Sequence, residues 1–292
     1  MVGTTLIDGE QQMYVARFHA DGSLDWETRG ELGSGARGVG VKPDGKIFIT
    51  GSQRTSNNPP AFDMRVWVYD ADGTAHGYVG YKDFDDLENT RDEFGRAVVV
   101  LADGRVVVAG MGETIDPNDQ TEVVRGVALL LVGKGDLVDT WVSPGDTMNH
   151  DAILAAVATS DGFATCGYAQ DELSGKKQIL VRWHDMALGP IGLPRLEITP
   201  GDGVCNALGY TLEGDTIVGA TVDETWKGQG ENAWIYAVQD ESSLLKKYLV
   251  RNGLSNGNDH ILGLQCDYMC TWAGTEQSED STMQWIVGMI RG

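Results

Sequence analysis

Positive charge is scarce in this chain. Its 292 residues carry 22 Lys and Arg against 43 Asp and Glu, a net charge of -21. Such a field repels polyphosphate, so nucleic acid and anionic membrane surfaces are poor partners. It favours cations, basic proteins, or simply solubility in salty surroundings. No apolar run approaches the ~18 residues that a membrane helix needs, which argues against membrane insertion. No stretch holds helical apolar spacing over three turns, because glycine or Asp-Gly interrupts every candidate. The G-x-S-x-G, H-E-x-x-H and P-loop patterns are missing. The five histidines (His19, His76, His150, His184, His260) fall on different parts of the chain, and no partnered nucleophile emerges from spacing alone. No signal peptide leads the sequence, and "MVGTTL" already reads as the middle of a repeat.

Cysteine is rare, four in all, with no CxxC or Cys/His grouping of the kind zinc requires. Cys266 and Cys270 bracket "DYM" at an expected hairpin turn, which faces them toward each other and leaves Cys166 and Cys205 to pair. Two disulfides, Cys266–Cys270 and Cys166–Cys205, imply an extracytoplasmic setting: secreted, periplasmic or cell surface. Free buried thiols are the alternative.

What the chain has in quantity is glycine, 39 residues without a collagen period. Five windows end in one: "GVGVKPDGKIFITG", "AVVVLADGRVVVAG", "LAAVATSDGFATCG", "NALGYTLEGDTIVG" and "ILGLQCDYMCTWAG". Their last residues, Gly51, Gly110, Gly167, Gly219 and Gly274, are spaced by 59, 57, 52 and 55. Asp-Gly or a substitute sits at the centre of each, between two apolar runs, which is a hairpin signal. A second hairpin, as in "MYVARFHADGSLDWETRG", lies between successive windows. Four strands per period of 50-odd residues predict an all-β chain, a β-propeller of four-stranded blades. Six blades fit better than five or seven, with one blade junction incomplete. The modules run approximately 1–30 (partial), 31–82, 83–143, 144–198, 199–250 and 251–292 (partial), in a single domain spanning 1–292.

The stretch "YVARFHADGSLDWETRGELGSGARGVGVKPDGKIFITGS" resembles the SBBP-type bacterial β-propeller repeat, and the likeness extends over essentially the whole chain. The resemblance implies a propeller and a secreted or surface setting. It implies no activity.

In such a meander the connections alternate between two ends of each sheet. The longer links, about a third of the chain and including 6–12 and 30–37, hold 26 of the 43 acidic residues and 9 of the 22 basic ones. "KDFDDLENTRDE" and "MGETIDPNDQTEVVR" are the richest. Where each inner strand begins, polar residues recur: Arg37, then Asp92 and Glu93, His150 and Asp151, Asp202, Asp259 and His260. Converging carboxylates are calcium chemistry, with Asp151, Asp202 and Asp259 as the candidate ligands and calcium as the candidate cofactor. The competing reading is that each aspartate caps backbone N–H groups of its own turn. "DADGT" (70–74) mimics part of a calcium loop but occupies a hairpin-turn position and is expected to be a turn. Trp226, in "VDETWKGQGEN", is the tryptophan expected to contact a carbohydrate or protein partner. The others read as packing between blades.

Three functions are carried forward. The first is a non-catalytic secreted or surface propeller that binds a cation, glycan or basic protein on its acidic loops. The second is a metal-assisted hydrolase or lyase at the channel mouth, built on His150, Asp151, Asp202, Asp259 and His260. The third is a scaffold module of a longer repeat protein. An open blade edge would also invite dimerisation through strand pairing.

Overall fold

The computed structural model describes all residues except 58–59, 81–91, 116–121, 145–149, 172–173, 198, 200, 225–229, 239–245, 252–258, 267–268, 278–282 and 292. Among the described residues there are strands and turns and no helix. The chain falls into two compact units, Met1–Pro144 and Gly145–Gly292.

The first unit holds three antiparallel meanders. Sheet I is β1 (Val2–Ile7), β2 (Glu10–Phe18) and β3 (Leu24–Leu32). Sheet II is β4 (Ser34–Val41), β5 (Ile47–Asn57), β6 (Pro60–Tyr69) and β7 (Ala75–Gly80). Sheet III is β8 (Glu93–Val100), β9 (Val106–Ile115), β10 (Glu122–Val132) and β11 (Asp136–Val142).

The second unit repeats the plan. Sheet IV is β12 (His150–Ala158), β13 (Gly162–Gln170), β14 (Lys177–Asp185) and β15 (Pro190–Glu197). Sheet V is β16 (Gly203–Tyr210), β17 (Thr216–Asp223), β18 (Glu231–Val238) and β19 (Lys246–Arg251). Sheet VI is β20 (Asp259–Cys266), β21 (Met269–Gln277) and β22 (Met283–Arg291). In every sheet the strands pair in chain order, so six sheets arise from the modules read in the sequence.

Stacking explains the composition of the second strands. Along β17, Val218, Ala220 and Val222 join a core with sheet IV, while Ile217 on the opposite face joins one with sheet VI. A strand covered on both faces loses polar alternation and reads as a continuous small apolar run. Indoles tie neighbouring sheets together. The Trp26 Nε1–H donates to the Ala71 carbonyl at 3.0 Å, and the Trp183 Nε1–H to the Thr216 hydroxyl at 3.2 Å. Both disulfides form as expected: Cys266–Cys270 closes the β20–β21 hairpin, and Cys166–Cys205 joins sheet IV to sheet V.

The Asp-Gly turns at Asp21, Asp44, Asp72 and Asp103 are not two-residue turns. In "KPDGK" the Gly45 N–H donates to the Lys42 carbonyl, Asp44 keeps a negative φ, and Gly45 alone is left-handed (φ 86°). This is a type I turn closed by a glycine bulge. The Asp44 carboxylate accepts the Lys46 N–H, and Asp21, Asp72 and Asp103 repeat the arrangement two residues on. "DADGT" is therefore a turn, with Asp72 holding the Thr74 N–H and Asp70 bridging Lys46 and His76. Asp8-Gly9, between β1 and β2, forms a two-residue turn with both residues at positive φ. That turn and the one-residue step from β3 to β4 correct the expectation of longer links at those places.

The repeated glycine likewise has another purpose than ending a strand. Every inner strand carries a one-residue bulge, at Arg37, Arg96, Leu154, Asn206 and Leu262. Gly51, Gly110, Gly167 and Gly274 pair immediately before these bulges, and their strands continue past them. A Cβ on any of the four would lie 1.8–2.1 Å from a carbonyl oxygen of the bulged strand. Sheet V departs, with Ala220 at that register and Gly219 one residue beyond the bulge.

Candidate functional site

The bulges place the starts of the inner strands, and these starts are polar and buried. Ser34, Glu93, Asp151 and Asp259 occupy equivalent positions, two residues before the pairing that precedes the bulge, and each is at most 3% exposed. Gly203 holds that position in sheet V. Ionised groups buried so deeply demand compensation. Asp151 has it from Arg182 on β14, whose Nη2 lies 3.1 Å from the carboxylate, with both side chains buried. Glu93 and Arg125 stand on either side of Gly112 in the register, on one face of sheet III, with no side chain between them. Ser34 spans two sheets: its hydroxyl accepts the Met13 N–H at 3.0 Å and donates to the Glu31 carbonyl.

One residue earlier in sheets III and V come Asp92 and Asp202, and both are backbone caps. Asp92 Oδ1 accepts the Phe62 N–H at 3.0 Å near the start of β6, and Asp202 Oδ1 accepts the Lys177 N–H at 3.0 Å at the start of β14. Each thus serves the third strand of the sheet before it, not its own turn. The main chains lengthen the inner ladders, with Glu113 N–H donating to the Asp92 carbonyl and Asp223 N–H to that of Asp202. Burial pushes the Asp92 carboxyl above the usual carboxylate range, and the Phe62 N–H partly offsets it.

His260 is placed differently. From β20 it reaches across to sheet V, its Nδ1 3.3 Å from the Thr221 hydroxyl and its Nε2 3.5 Å from the Glu231 carboxylate. The Asn206 amide, at the bulge of β16, donates to the same hydroxyl at 2.9 Å. Hydroxyl, imidazole and carboxylate stand in sequence, half-buried between two sheets. The sequence singled out His260 but not Asn206, Thr221 or Glu231, which lie well before it in the chain, each on a different strand of sheet V. Arg182 was likewise hidden inside the strand "QILVRWHD".

Arg37 is exposed at the bulge of β4, and His150 begins β12 half-buried. Trp226 lies outside the described residues, as do 81–91 and 116–121 of the two most acidic links. Among the described residues no group of three or more His, Cys, Asp or Glu is arranged to hold a metal ion. Asp151 pairs with Arg182 through Oδ2, and Asp202 holds a backbone N–H through Oδ1.

Residues 2–25 match the family described as "Domain of unknown function (DUF5122) beta-propeller". No curated protein matches the sequence. Solved structures do match in fold. A protein of unknown function from Dyadobacter fermentans is 11% identical with a TM-score of 0.56, over 99% of this chain and 94% of that one. A glucose dehydrogenase is 9% identical with a TM-score of 0.52, over 99% and 95%. A Trypanosoma rangeli sialidase is 11% identical with a TM-score of 0.52, over 97% of this chain and 52% of its own. At such identities the likeness concerns the fold alone. The chain is built of β-propeller repeats.

Proposed function

We propose that this chain is a non-catalytic binding propeller, working outside the cytoplasm, whose acidic links take a positively charged ligand. One observation carries the reading. Three of the carboxylates at the inner-strand starts are spent on the fold, Asp92 on Phe62, Asp202 on Lys177 and Asp151 on Arg182. The acidity left for a ligand is in the links, above all Asp83, Asp85, Asp86 and Glu88. Loops on a rigid sheet scaffold suit recognition, and the two disulfides support an oxidising compartment.

The test is calorimetric titration with a lysine-rich peptide and, separately, with calcium chloride. Binding of one or both is expected, weakening steeply with salt for the peptide. Neutralising Asp83, Asp85, Asp86 and Glu88 to the amides should weaken it at least tenfold. Neutralising Asp136, Asp139, Asp161 and Glu213, at the turn end of the sheets, should change it less than threefold. No heat with either probe, or equal loss in both variants, overturns the proposal.

A second reading, a hydrolase or lyase, is favoured by the Thr221–His260–Glu231 alignment. It requires hydrolysis or elimination on a glycan panel that His260→Ala abolishes while leaving the fold intact.

A further inference from the structure

We propose that the Cys266–Cys270 bridge is a redox site: an external dithiol reduces it in the folded protein, and the packing of sheets V and VI responds, while Cys166–Cys205 stays closed. The two bridges lie in opposite surroundings. Cys166 and Cys205 are 2% and 0% exposed inside the core that joins sheets IV and V, so a reagent reaches their sulfurs only if those sheets part. Cys266 is half-buried and Cys270 is 4% exposed, at a hairpin end where the adjoining Gln265 and Met269 are exposed. Exchange needs a thiolate to reach a disulfide sulfur, so access separates the two bridges.

What each bridge holds also differs. Cys266 stands directly opposite Cys270 at the last pair of β20 and β21, and six further pairs hold the same two strands together. Opening this bridge leaves the hairpin paired, and β21 keeps its ladder with β22. Opening Cys166–Cys205 instead removes a covalent tie between two sheets. A site that opens and closes repeatedly has to leave the fold standing in both states, and Cys266–Cys270 meets that condition.

Sheet V feels the change through a glycine. A Cβ on Gly209 of β16 would lie 2.3 Å from Cys266 Sγ and 2.1 Å from Leu264 Cδ2, so the sulfur rests on the main chain of β16. Two thiols stand farther apart than two bonded sulfurs. On reduction Cys266 Sγ has to move away from Cys270 with β16 at its back, which loosens the contact between sheets V and VI at this end. In the exchange, one thiolate of the dithiol attacks Cys266 Sγ, the sulfur of the more exposed residue. The S–S bond breaks, and its electron pair leaves on Cys270 Sγ, which takes up a proton. The second sulfur of the dithiol then attacks the first, releasing Cys266 as a thiol, and the reagent departs as a disulfide. Two electrons and two protons pass from the dithiol to the protein.

Dithiothreitol added to the native full chain tests this, with thiols trapped by iodoacetamide and located by peptide mass spectrometry. Cys266–Cys270 should open at least about tenfold faster than Cys166–Cys205 with an unchanged circular dichroism spectrum, and it should close again in oxidised glutathione. Amide hydrogen exchange around Gly209 should quicken at least about threefold in the reduced protein, and equally in the double variant Cys266→Ser, Cys270→Ser. In the single variants, Cys266 left by Cys270→Ser should react with iodoacetamide faster than Cys270 left by Cys266→Ser. Equal opening rates for the two bridges, or reduction of Cys266–Cys270 only together with loss of the β spectrum, overturns the proposal. So does faster labelling of Cys270, or unaltered exchange around Gly209.

Discussion

Replacing Gly167 by alanine examines the repeat at its tightest point. Gly167 lies on β13 opposite Ile153, and its added Cβ would stand 1.9 Å from the Ala152 carbonyl oxygen. Real Cβ atoms essentially never come nearer than 3.0 Å, so two paired backbones must part by more than 1 Å. Neither atom belongs to a side chain that can rotate away. Overpacking typically costs about 1–3 kcal/mol, and a clash with main chain falls at the upper end, about 3 kcal/mol or more. For a chain of this size that lowers the melting temperature by roughly 6–12 °C. Gly110→Ala, 2.0 Å from the Phe94 carbonyl oxygen, should behave alike in the other unit. Gly263→Ala is the counter-case: nothing lies within 4 Å of its Cβ, and the strand gains about 0.5–1 kcal/mol from reduced backbone freedom in the unfolded chain. Thermal unfolding followed by circular dichroism, without reductant, reads all three. A Gly167→Ala protein as stable as the parent, or a Gly263→Ala protein equally damaged, would refute the bulge register and with it the explanation of the repeated glycine.

The two disulfides differ in what they close. Chain-entropy arithmetic assigns about 4 kcal/mol to Cys166–Cys205, at a sequence separation of 39, and about 2 kcal/mol to Cys266–Cys270, at a separation of 4; the double-alanine variants should show that order in urea midpoints, and the reverse order would contradict it. His184 is buried, stacked on Phe163 at 4.7 Å and within 3.3 Å of the Thr165 hydroxyl, and burial lowers its pKa from 6.5 to about 4. The unfolded chain takes up that proton near pH 6.5 and the folded one only near pH 4, so stability is whole above pH 6.5 and falls by about 3 kcal/mol on going down through this window. Stability measured at several pH values should lose this slope in His184→Gln, and an identical slope in parent and variant would rule the histidine out as its source.

How much was legible without coordinates follows from distance along the chain. Hairpins are local: an apolar run, Asp-Gly and a second run lie within 14 residues, so turn chemistry and strand pattern name them, and five such windows fall in the sheets as read. Cys266 and Cys270 face each other for the same reason, and once they pair only Cys166 and Cys205 remain. Locality also has its blind spots. The glycine ending each window looks like a stop, because the carbonyl that forbids its side chain belongs to a bulge that leaves no mark in composition. The links beside Asp8-Gly9 and Gly33 look long because polar residues continue into the strands.

The candidate site shows the same division more sharply. Carboxylates at the inner-strand starts could be named from their recurrence, but what each one holds is decided across sheets. Asp92 takes an N–H from 30 residues before it, Asp151 an arginine 31 residues after it, and His260 a hydroxyl 39 residues before it. No period or motif records those pairings. Sequence by itself determined that this protein folds as repeated antiparallel meanders, since alternation and turn formation act between near neighbours. Only the tertiary structure decided which polar groups the fold consumes and which stay available to a ligand, because burial and partnership arise when separate sheets are stacked face to face.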